Sequence, residues 1–256
     1  MIRDSFILAK RSVTKMLRNP EQFIDVTVQP IIMTVLFVFI FGGAVAGNTE
    51  DYLPFVLPGI IVQTIMFTSL TIGVNLNTDI QKGVFDRFRS LPISRSAPLL
   101  GAVGGDIVRH VIALAVSLGF GTLIGFRTQV EWYSVLAGIG LLILFAVSLC
   151  WVSVLIGMLA RSSGAVQGIS FLIVFPLTFG SSTFVPADTL PTWLQGWVSI
   201  NPVTHLIEAM RGLISGTQYM AAGSSLGHEV LWVLASCVVL VGVFFPLATG
   251  AYRRKI

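Results

Sequence analysis

Long apolar stretches dominate the pattern of this chain, and short polar segments separate them. Six of these stretches reach or approach the roughly 20 residues that a helix needs to cross a lipid bilayer. They therefore predict an all-α integral membrane protein with six transmembrane helices in one transmembrane domain covering residues 1–256. The predicted spans are residues 23–46, 53–76, 98–126, 132–160, 165–184 and 229–252.

The segment before the first span has a different pattern. Within residues 1–18, apolar side chains recur at three- and four-residue steps, as at Ile2, Phe6 and Ala9, while basic residues occupy the other faces. This amphipathic pattern predicts a helix lying in the membrane interface. The segment lacks the apolar core and small-residue cleavage site of a signal peptide, so we expect the N-terminus to stay cytoplasmic.

Composition and charge support the membrane assignment and give it an orientation. Hydrophobic residues make up 54% of the chain and charged residues only 11%, which leaves no room for a large soluble catalytic domain. Alternating spans place nearly all Lys and Arg on one side, with only Arg127 and Arg211 on the other. The positive-inside rule therefore predicts that both termini are cytoplasmic. Because the basic residues flank apolar stretches, the positive net charge does not indicate a nucleic-acid partner.

Residues 79–95 form the longest charged stretch between two spans. Val84, Phe88 and Leu91 fall on one helical face and charges on the others, which predicts a short amphipathic helix that presents an apolar ridge to a partner. The alternative is a solvated loop whose cations only fix the topology.

Polar positions on two spans are candidates for a substrate path, because polar faces of spanning helices belong in a bundle interior or a cavity. The alternative is that these hydroxyls bond their own backbone or join neighbouring helices. The positions on the second span are Thr64, Thr68, Thr71 and Asn75, and those on the fifth are Gln167, Ser170, Thr178 and Ser181.

An ionisable cluster lies in the third span. Asp106, Arg109 and His110 are spaced so that the carboxylate can pair with either cation on one helical face. Their position near the predicted cytoplasmic end favours a local structural pair whose cations reach the interface. Proton coupling is the alternative interpretation.

Residues 185–228 form the longest connection, and their apolar stretches are too short to span. Glu208 and Arg211 lie one helical turn apart within it, and His205 lies close by. His205 and Glu208 would supply only two ligands, so we do not predict a metal site. Cys150 and Cys237 lie in apolar stretches and do not suggest a disulfide.

Several segments together resemble the ABC-2 type exporter permeases, particularly the daunorubicin and doxorubicin resistance permeases. The strongest is Gly83-Val-Phe-Asp-Arg-Phe-Arg-Ser-Leu-Pro-Ile-Ser94. Others occur in the same order as in that family, and the similarity extends over essentially the whole chain. These are Arg18-Asn-Pro20, Tyr52-Leu-Pro-Phe-Val-Leu-Pro-Gly59, Pro191-Thr-Trp-Leu-Gln-Gly-Trp197 and Asn201-Pro202.

The resemblance implies half of a transmembrane dimer, most simply a homodimer, driven by a separate cytoplasmic ABC ATPase. It implies a coupling helix that contacts this ATPase, formed by Lys82, Gly83, Val84, Phe85, Asp86, Arg87, Phe88 and Arg89. It also implies short re-entrant helices before the last span, with Asn201, Pro202, Glu208 and Arg211 as candidates for an extracellular gate. The chain has no phosphate-binding loop, so we expect it to bind no cofactor and ATP and Mg²⁺ to bind the partner ATPase.

The expected function is therefore export of hydrophobic or amphiphilic compounds, either drugs or lipids, across a bacterial cytoplasmic membrane, in contact with membrane lipids. Transport driven by an ion gradient and export of a lipid-linked glycan remain alternatives, as does a membrane anchor without transport. An intramembrane protease is not expected, because Ser170 and the histidines lie at different depths of the predicted topology.

Overall fold

The computed structural model describes residues 9–10, 12–14, 20–43, 47–85 and 97–255. Within these residues the regular elements are all helical. The eight α-helices are α1 (Pro20–Leu36), α2 (Thr49–Gln81), α3 (Ala97–Leu123), α4 (Trp132–Leu159), α5 (Ser163–Phe179), α6 (Thr192–Ile200), α7 (Pro202–Met210) and α8 (Leu226–Lys255). A π-helical turn, Phe37–Phe41, extends α1, and a second, Arg211–Ser215, extends α7. Single 3-10 turns lie at Ala187–Thr189 and Thr217–Tyr219.

Among the described residues, four helices are long and apolar enough to cross a membrane, namely α2, α3, α4 and α8. The apolar parts of α1 with its π-turn and of α5 are shorter. The all-α membrane architecture is thus confirmed, whereas the structure assigns full spanning length to only four of the six predicted spans. Much of residues 1–18, and residues 86–95 of the predicted coupling loop 79–95, lie outside the described residues.

Helix α2 lies at the centre of the molecule. In its most apolar window 78% of the residues are buried, against 11% in α8. Val56, Leu57 and Ile60 have no exposed surface at all. A helix that is apolar on every side either packs among other helices, as α2 does, or faces lipid, which suits the exposed apolar side chains of α8.

A close crossing joins α2 to α4. A Cβ atom at Gly157 would lie only 2.5 Å from the carbonyl oxygen of Gly73, so the two backbones touch at this point. Ser153 strengthens the contact because its hydroxyl accepts from the Gly73 amide at 3.0 Å. Close approach of this kind, aided by small residues and hydroxyls, is how helices associate in lipid.

Asn77 completes this crossing one turn further along α2. Its amide donates to the carbonyls of Gly157 and Ala160, both at 2.9 Å. These carbonyls belong to the end of α4, where helical carbonyls have no partner within the helix. The side chain therefore caps α4 and fixes its end to α2.

Helix α5 ends earlier than the predicted span. It begins after Ser162, whose hydroxyl accepts from the Ala165 amide at 3.2 Å, and ends at Phe179. Its 17 residues would be only about 25 Å long. Asn201 holds the chain that follows, since its side-chain amide donates to the carbonyls of Leu177 and Gly180 at 2.8 and 2.9 Å.

The connection before α8 contains the two short helices α6 and α7. Asn201 also begins α7, because its side-chain oxygen accepts from the Val203 amide at 3.0 Å and Pro202 occupies the first turn. One asparagine thus both caps α7 and closes the end of α5, which packs the returning chain against the bundle.

Candidate functional site

A groove of about 500 Å³ lies on one side of the bundle, between α1, α2 and α5. Two helical faces form most of its wall. Gln63, Phe67, Leu70, Thr71 and Val74 lie along one side of α2, and Gln167, Phe171, Phe175 and Phe179 recur every fourth residue along α5, while Gln29 and Met33 come from α1. The combination of phenylalanine rings with three amides makes the groove amphiphilic.

The aromatic rings of this groove are in contact with one another. The ring of Phe171 lies 6.0 Å from Phe67 and 5.2 Å from Phe175, and Phe175 lies 4.4 Å from Phe179. From Phe179 the row continues through Phe184, at 5.5 Å, to Phe37 in the π-turn that follows α1. These separations fall in the range of favourable aromatic pairs. The groove therefore offers a continuous aromatic wall for a flat apolar molecule.

The same α5 face is open in the single chain. Phe171, Phe175 and Phe179 are 49%, 43% and 43% exposed, and Leu172 beside them is 74% exposed. A contiguous apolar surface of this kind, rimmed by polar groups, marks a surface for binding a ligand or another protein.

Gln63 gives the groove a polar group with unused bonding capacity. Its side chain is buried, and its Oε1 atom has no hydrogen-bond partner among the described residues. A buried acceptor left without a partner costs free energy, so a ligand that donates a hydrogen bond here would gain affinity. Gln63 was not among the predicted path residues, although it lies four and eight residues before Phe67 and Thr71 on the same helical face.

The structure separates the eight polar positions predicted for the path. Only Thr71 and Gln167 line the groove. Thr64 and Thr68 are buried, and each bonds the carbonyl four residues before it on α2 at 2.8 Å. The remaining positions do not line it either: Asn75 is half-buried, and Ser170, Thr178 and Ser181 are buried.

Glu208 and Arg211 lie in a buried network at the end of α7. Arg211 Nη1 is 2.6 Å from Glu208 Oε1, and both side chains are almost fully buried. Arg211 also donates to the Phe55 carbonyl at 2.9 Å and lies 3.6 Å above the Phe55 ring. Ser182 donates to Glu208 Oε1 at 2.8 Å. This network fastens the end of α7 to α2 and to the loop after α5.

The ionisable cluster of α3 is buried as well. Arg109 lies 3.1 Å from Asp106, with each side chain only 6% exposed. His110 Nε2 is 3.0 Å from the Ser69 hydroxyl on α2, and the Cys150 thiol on α4 lies 3.8 Å from Asp106. The cluster therefore connects three helices inside the bundle, and its Asp106, Arg109 and His110 side chains do not extend to an exposed interface.

His205 pairs with Glu229 of α8 and not with Glu208, the residue near it in the sequence. Its Nδ1 atom is 2.6 Å from Glu229 of α8, and His228 lies next to the same carboxylate at 3.4 Å. These three residues, with Glu208 and Arg211, border a second cavity of about 1060 Å³. The cysteines Cys150 and Cys237 are both buried free thiols.

Comparison with known proteins identifies the family. The ABC-2 type transporter family matches residues 3–214. This chain belongs to the ABC-2 type transporter family. It is 41% identical to the daunorubicin resistance ABC transporter permease protein DrrB1 of Streptomyces coeruleorubidus, over 92% of this chain and 81% of the relative.

More distant relatives match along nearly the whole chain. The putative transport permease ycf38 of Cyanophora paradoxa is 28% identical over 100% of this chain and 89% of its own length. The probable doxorubicin resistance ABC transporter permease protein DrrC of Mycobacterium tuberculosis is 24% identical over 99% of this chain and 89% of its own length. The chain is therefore an ABC-2 permease and a multi-pass membrane protein.

Of the predicted coupling segment, residues 82–89, the structure describes only the beginning. After α2 ends at Gln81, Lys82 is exposed and Gly83 turns the chain with a φ of +66°. Phe85 is buried and contacts the Tyr252 ring of α8 at a centroid distance of 5.7 Å. Phe85 thus anchors the segment to the bundle and does not project outward. Asp86, Arg87, Phe88 and Arg89 lie outside the described residues.

Proposed function

We propose that this chain is the permease subunit of an ATP-driven exporter that moves hydrophobic or amphiphilic compounds out across the bacterial cytoplasmic membrane. The observation that carries the proposal is the groove between α1, α2 and α5. It combines a row of phenylalanine rings with the amides of Gln29, Gln63 and Gln167. Such a surface suits a flat molecule with an apolar body and a few polar groups. The relative named for daunorubicin resistance supports the same substrate class.

We further propose that six helices cross the membrane with both termini in the cytoplasm. The α1 helix with its π-turn and the shorter α5 would join the four long helices. Hydrogen bonds between loops support their assignment to two opposite ends of the helix bundle. Gln81 donates to the Arg161 carbonyl at one end, and Gln218 donates to Gln129 at the other. Most of the basic residues of the loops belong to the first end, as expected for the cytoplasmic side.

Hydrolysis of ATP is assigned to a partner ATPase that contacts the segment from Lys82 to Arg89. The anchoring of Phe85 against Tyr252 supports this, because movement of the segment would be transmitted directly to α8. ATP and Mg²⁺ would bind that partner and not this chain, which lacks a phosphate-binding loop.

A second copy of the chain would cover the open face of α5. Leu172 is 74% exposed on this face, whereas the groove beside it is only partly enclosed by one chain. When membranes are treated with a mild thiol oxidant, we expect Leu172→Cys to give a disulfide-linked dimer, while Leu231→Cys on the 68% exposed outward face of α8 stays monomeric on a denaturing gel. Equal cross-linking at both positions would contradict this arrangement.

Transport is tested by reconstituting the chain with its cognate ATPase in vesicles and following ATP-dependent accumulation of daunorubicin by its fluorescence. We expect Phe175→Ala to raise the substrate concentration for half-maximal transport about two- to tenfold, the equivalent of one aromatic contact. Leu231→Ala, on the exposed face of α8, serves as the matched control and should transport normally.

Two outcomes would count against the exporter. Accumulation driven by a proton gradient without ATP or ATPase would identify a secondary transporter. Movement of a lipid-linked glycan with no movement of daunorubicin would retain the ATP-driven permease but replace the substrate class. In either case the Phe175→Ala and Leu231→Ala variants would still report whether the groove is used.

A further inference from the structure

His205, His228 and Glu229 meet where α7 packs against the beginning of α8. Each residue offers one donor atom, and all three donor atoms lie within 4.8 Å of one another. His205 and Glu229 are buried, whereas the His228 side chain is 60% exposed. Two imidazole nitrogens and a carboxylate oxygen thus converge on one point at the edge of the large cavity.

The hydrogen bonds of His205 leave its Nδ1 atom directed at the carboxylate. Its Nε2 atom lies 3.1 Å from the Ser199 carbonyl, which can only accept, so Nε2 carries a proton. The other nitrogen, Nδ1, lies 2.6 Å from Glu229 Oε2. Both ring nitrogens therefore face oxygen acceptors. The backbone thus holds Nε2, and Nδ1 is the ring atom available to a cation that also binds the carboxylate, once the carboxylate moves away from its present 2.6 Å contact to make room for it.

The arrangement around His205 matches the outer shell of a metal ligand. A histidine that binds a metal through one nitrogen typically donates its other N–H to a backbone carbonyl, as His205 does to Ser199. The His205 ring is also stacked on Trp232, with centroids 4.9 Å apart and planes 5° from parallel. The position and the orientation of this ring are therefore fixed before any ligand binds.

His228 is the adjustable member of the group. Its Nδ1 atom lies 3.4 Å from Glu229 Oε1, and its Nε2 atom accepts from the Trp232 indole at 3.2 Å. To bind a cation through Nδ1, the neutral His228 ring must carry its proton on Nε2 instead of Nδ1. This change breaks the hydrogen bond that Nε2 accepts from Trp232. The high exposure of the side chain permits that small rotation.

We propose that His205, His228 and Glu229 bind a divalent transition-metal cation of the zinc type, with a fourth position open to the cavity of about 1060 Å³. Two histidines and a glutamate are a known zinc donor set, with metal–ligand bonds of about 2.0 to 2.2 Å. Imidazole nitrogens disfavour Mg²⁺ and Ca²⁺, which prefer oxygen ligands. The cation would join α7 to α8 and so fasten the re-entrant connection to the last long helix. This proposal does not depend on the transport function.

The experiment uses the full chain, purified in detergent with a tag that contains no histidine and stripped of metal with EDTA. Zn²⁺ is titrated against a chromogenic chelator, and Co²⁺ is added in a parallel sample to record the absorption of its tetrahedral complexes. We expect one Zn²⁺ per chain, the Co²⁺ absorption band, and a Zn²⁺-dependent rise in Tm.

The variants separate ligation from general effects. His228→Ala changes an exposed side chain and should weaken Zn²⁺ binding at least about tenfold, the smallest effect expected for a lost metal contact. Asp188→Asn is the matched control, because Asp188 borders the same cavity without belonging to the cluster, and it should bind Zn²⁺ normally. Absence of stoichiometric binding, or equal binding by the native chain and His228→Ala, would overturn the proposal and leave the contact of His205 with Glu229 as a direct hydrogen bond.

Discussion

Replacing Arg211 with methionine tests whether the buried network at the end of α7 holds the fold together. Arg211 is 1% exposed. Its guanidinium donates to the Phe55 carbonyl, the Ser182 hydroxyl and carbonyl, and Glu208. Methionine can fill the space of the arginine stem but is shorter than arginine and can replace none of these bonds. The variant therefore leaves the Glu208 carboxylate buried without its cation.

The expected magnitude follows from this geometry. Removing one partner of a buried ion pair typically costs about 3 to 5 kcal/mol, because the remaining charge is neither hydrated nor paired. Glu208 would keep bonds from the Ser182 hydroxyl and the Ala221 amide, which places the cost in that range and not above it. With a shift of about 2 to 4 °C per kcal/mol in a chain of this size, Arg211→Met should lower Tm by about 6 to 20 °C.

The assay is thermal unfolding of the detergent-purified chain, monitored by size-exclusion chromatography. Arg127→Met is the matched control: Arg127 is exposed and bonds only nearby backbone carbonyls, so its loss should change Tm little. The double variant Glu208→Gln with Arg211→Met removes both charges and should recover part of the loss. A Tm for Arg211→Met within 2 °C of the native chain would refute the assignment of a stabilising role to this pair.

Two further predictions concern the crossing of α2 and α4. Gly157→Val places side-chain atoms against the Gly73 carbonyl and should cost about 1 to 3 kcal/mol through overpacking, seen as a lower Tm, whereas Gly140→Val, with open space at its Cβ, should not. Asn77→Leu leaves the carbonyls of Gly157 and Ala160 without their partner and should cost about 1 to 3 kcal/mol in the same assay. An unchanged Tm for Gly157→Val, or for Asn77→Leu, would show that the α2–α4 contact relaxes freely.

The hydrophobic pattern predicted the all-helical membrane architecture because the bilayer imposes a simple length requirement on each helix. The predicted span 132–160 differs by one residue from the observed helix Trp132–Leu159. The end of α5 was harder, because Asn201, far along the chain, bonds the carbonyls at that end and terminates the helix before residue 184. Hydropathy does not contain such a contact, and the Gly-Ser-Ser-Thr sequence of residues 180–183 carries no charge that would end the predicted span earlier.

The side-chain contacts between different helices were the least predictable feature of the candidate site. Spacing within one helix reveals pairs such as Glu208 with Arg211, which the structure joins at 2.6 Å. It does not reveal that His205 bonds Glu229, which is 24 residues away on another helix. Periodicity likewise showed polar faces on α2 and α5 but not which positions line the groove. Helix rotation decides this, and packing against other helices determines that rotation.

The distribution of strong contacts within one chain bears on where a transport path would open. Arg211 fastens α7 to α2 at one end of the bundle, and Asn77 fastens α2 to α4 at the other. Separating either contact would leave buried polar groups without partners, which costs several kcal/mol. Among the described residues, the α5 face of the groove makes no comparable tie, since its side chains are mostly exposed phenylalanines. In lipid, apolar surfaces can part without a hydrophobic penalty. Under the proposed function, the movement that opens the path therefore lies between two copies of the chain at α5, and the interior of each bundle moves as a unit.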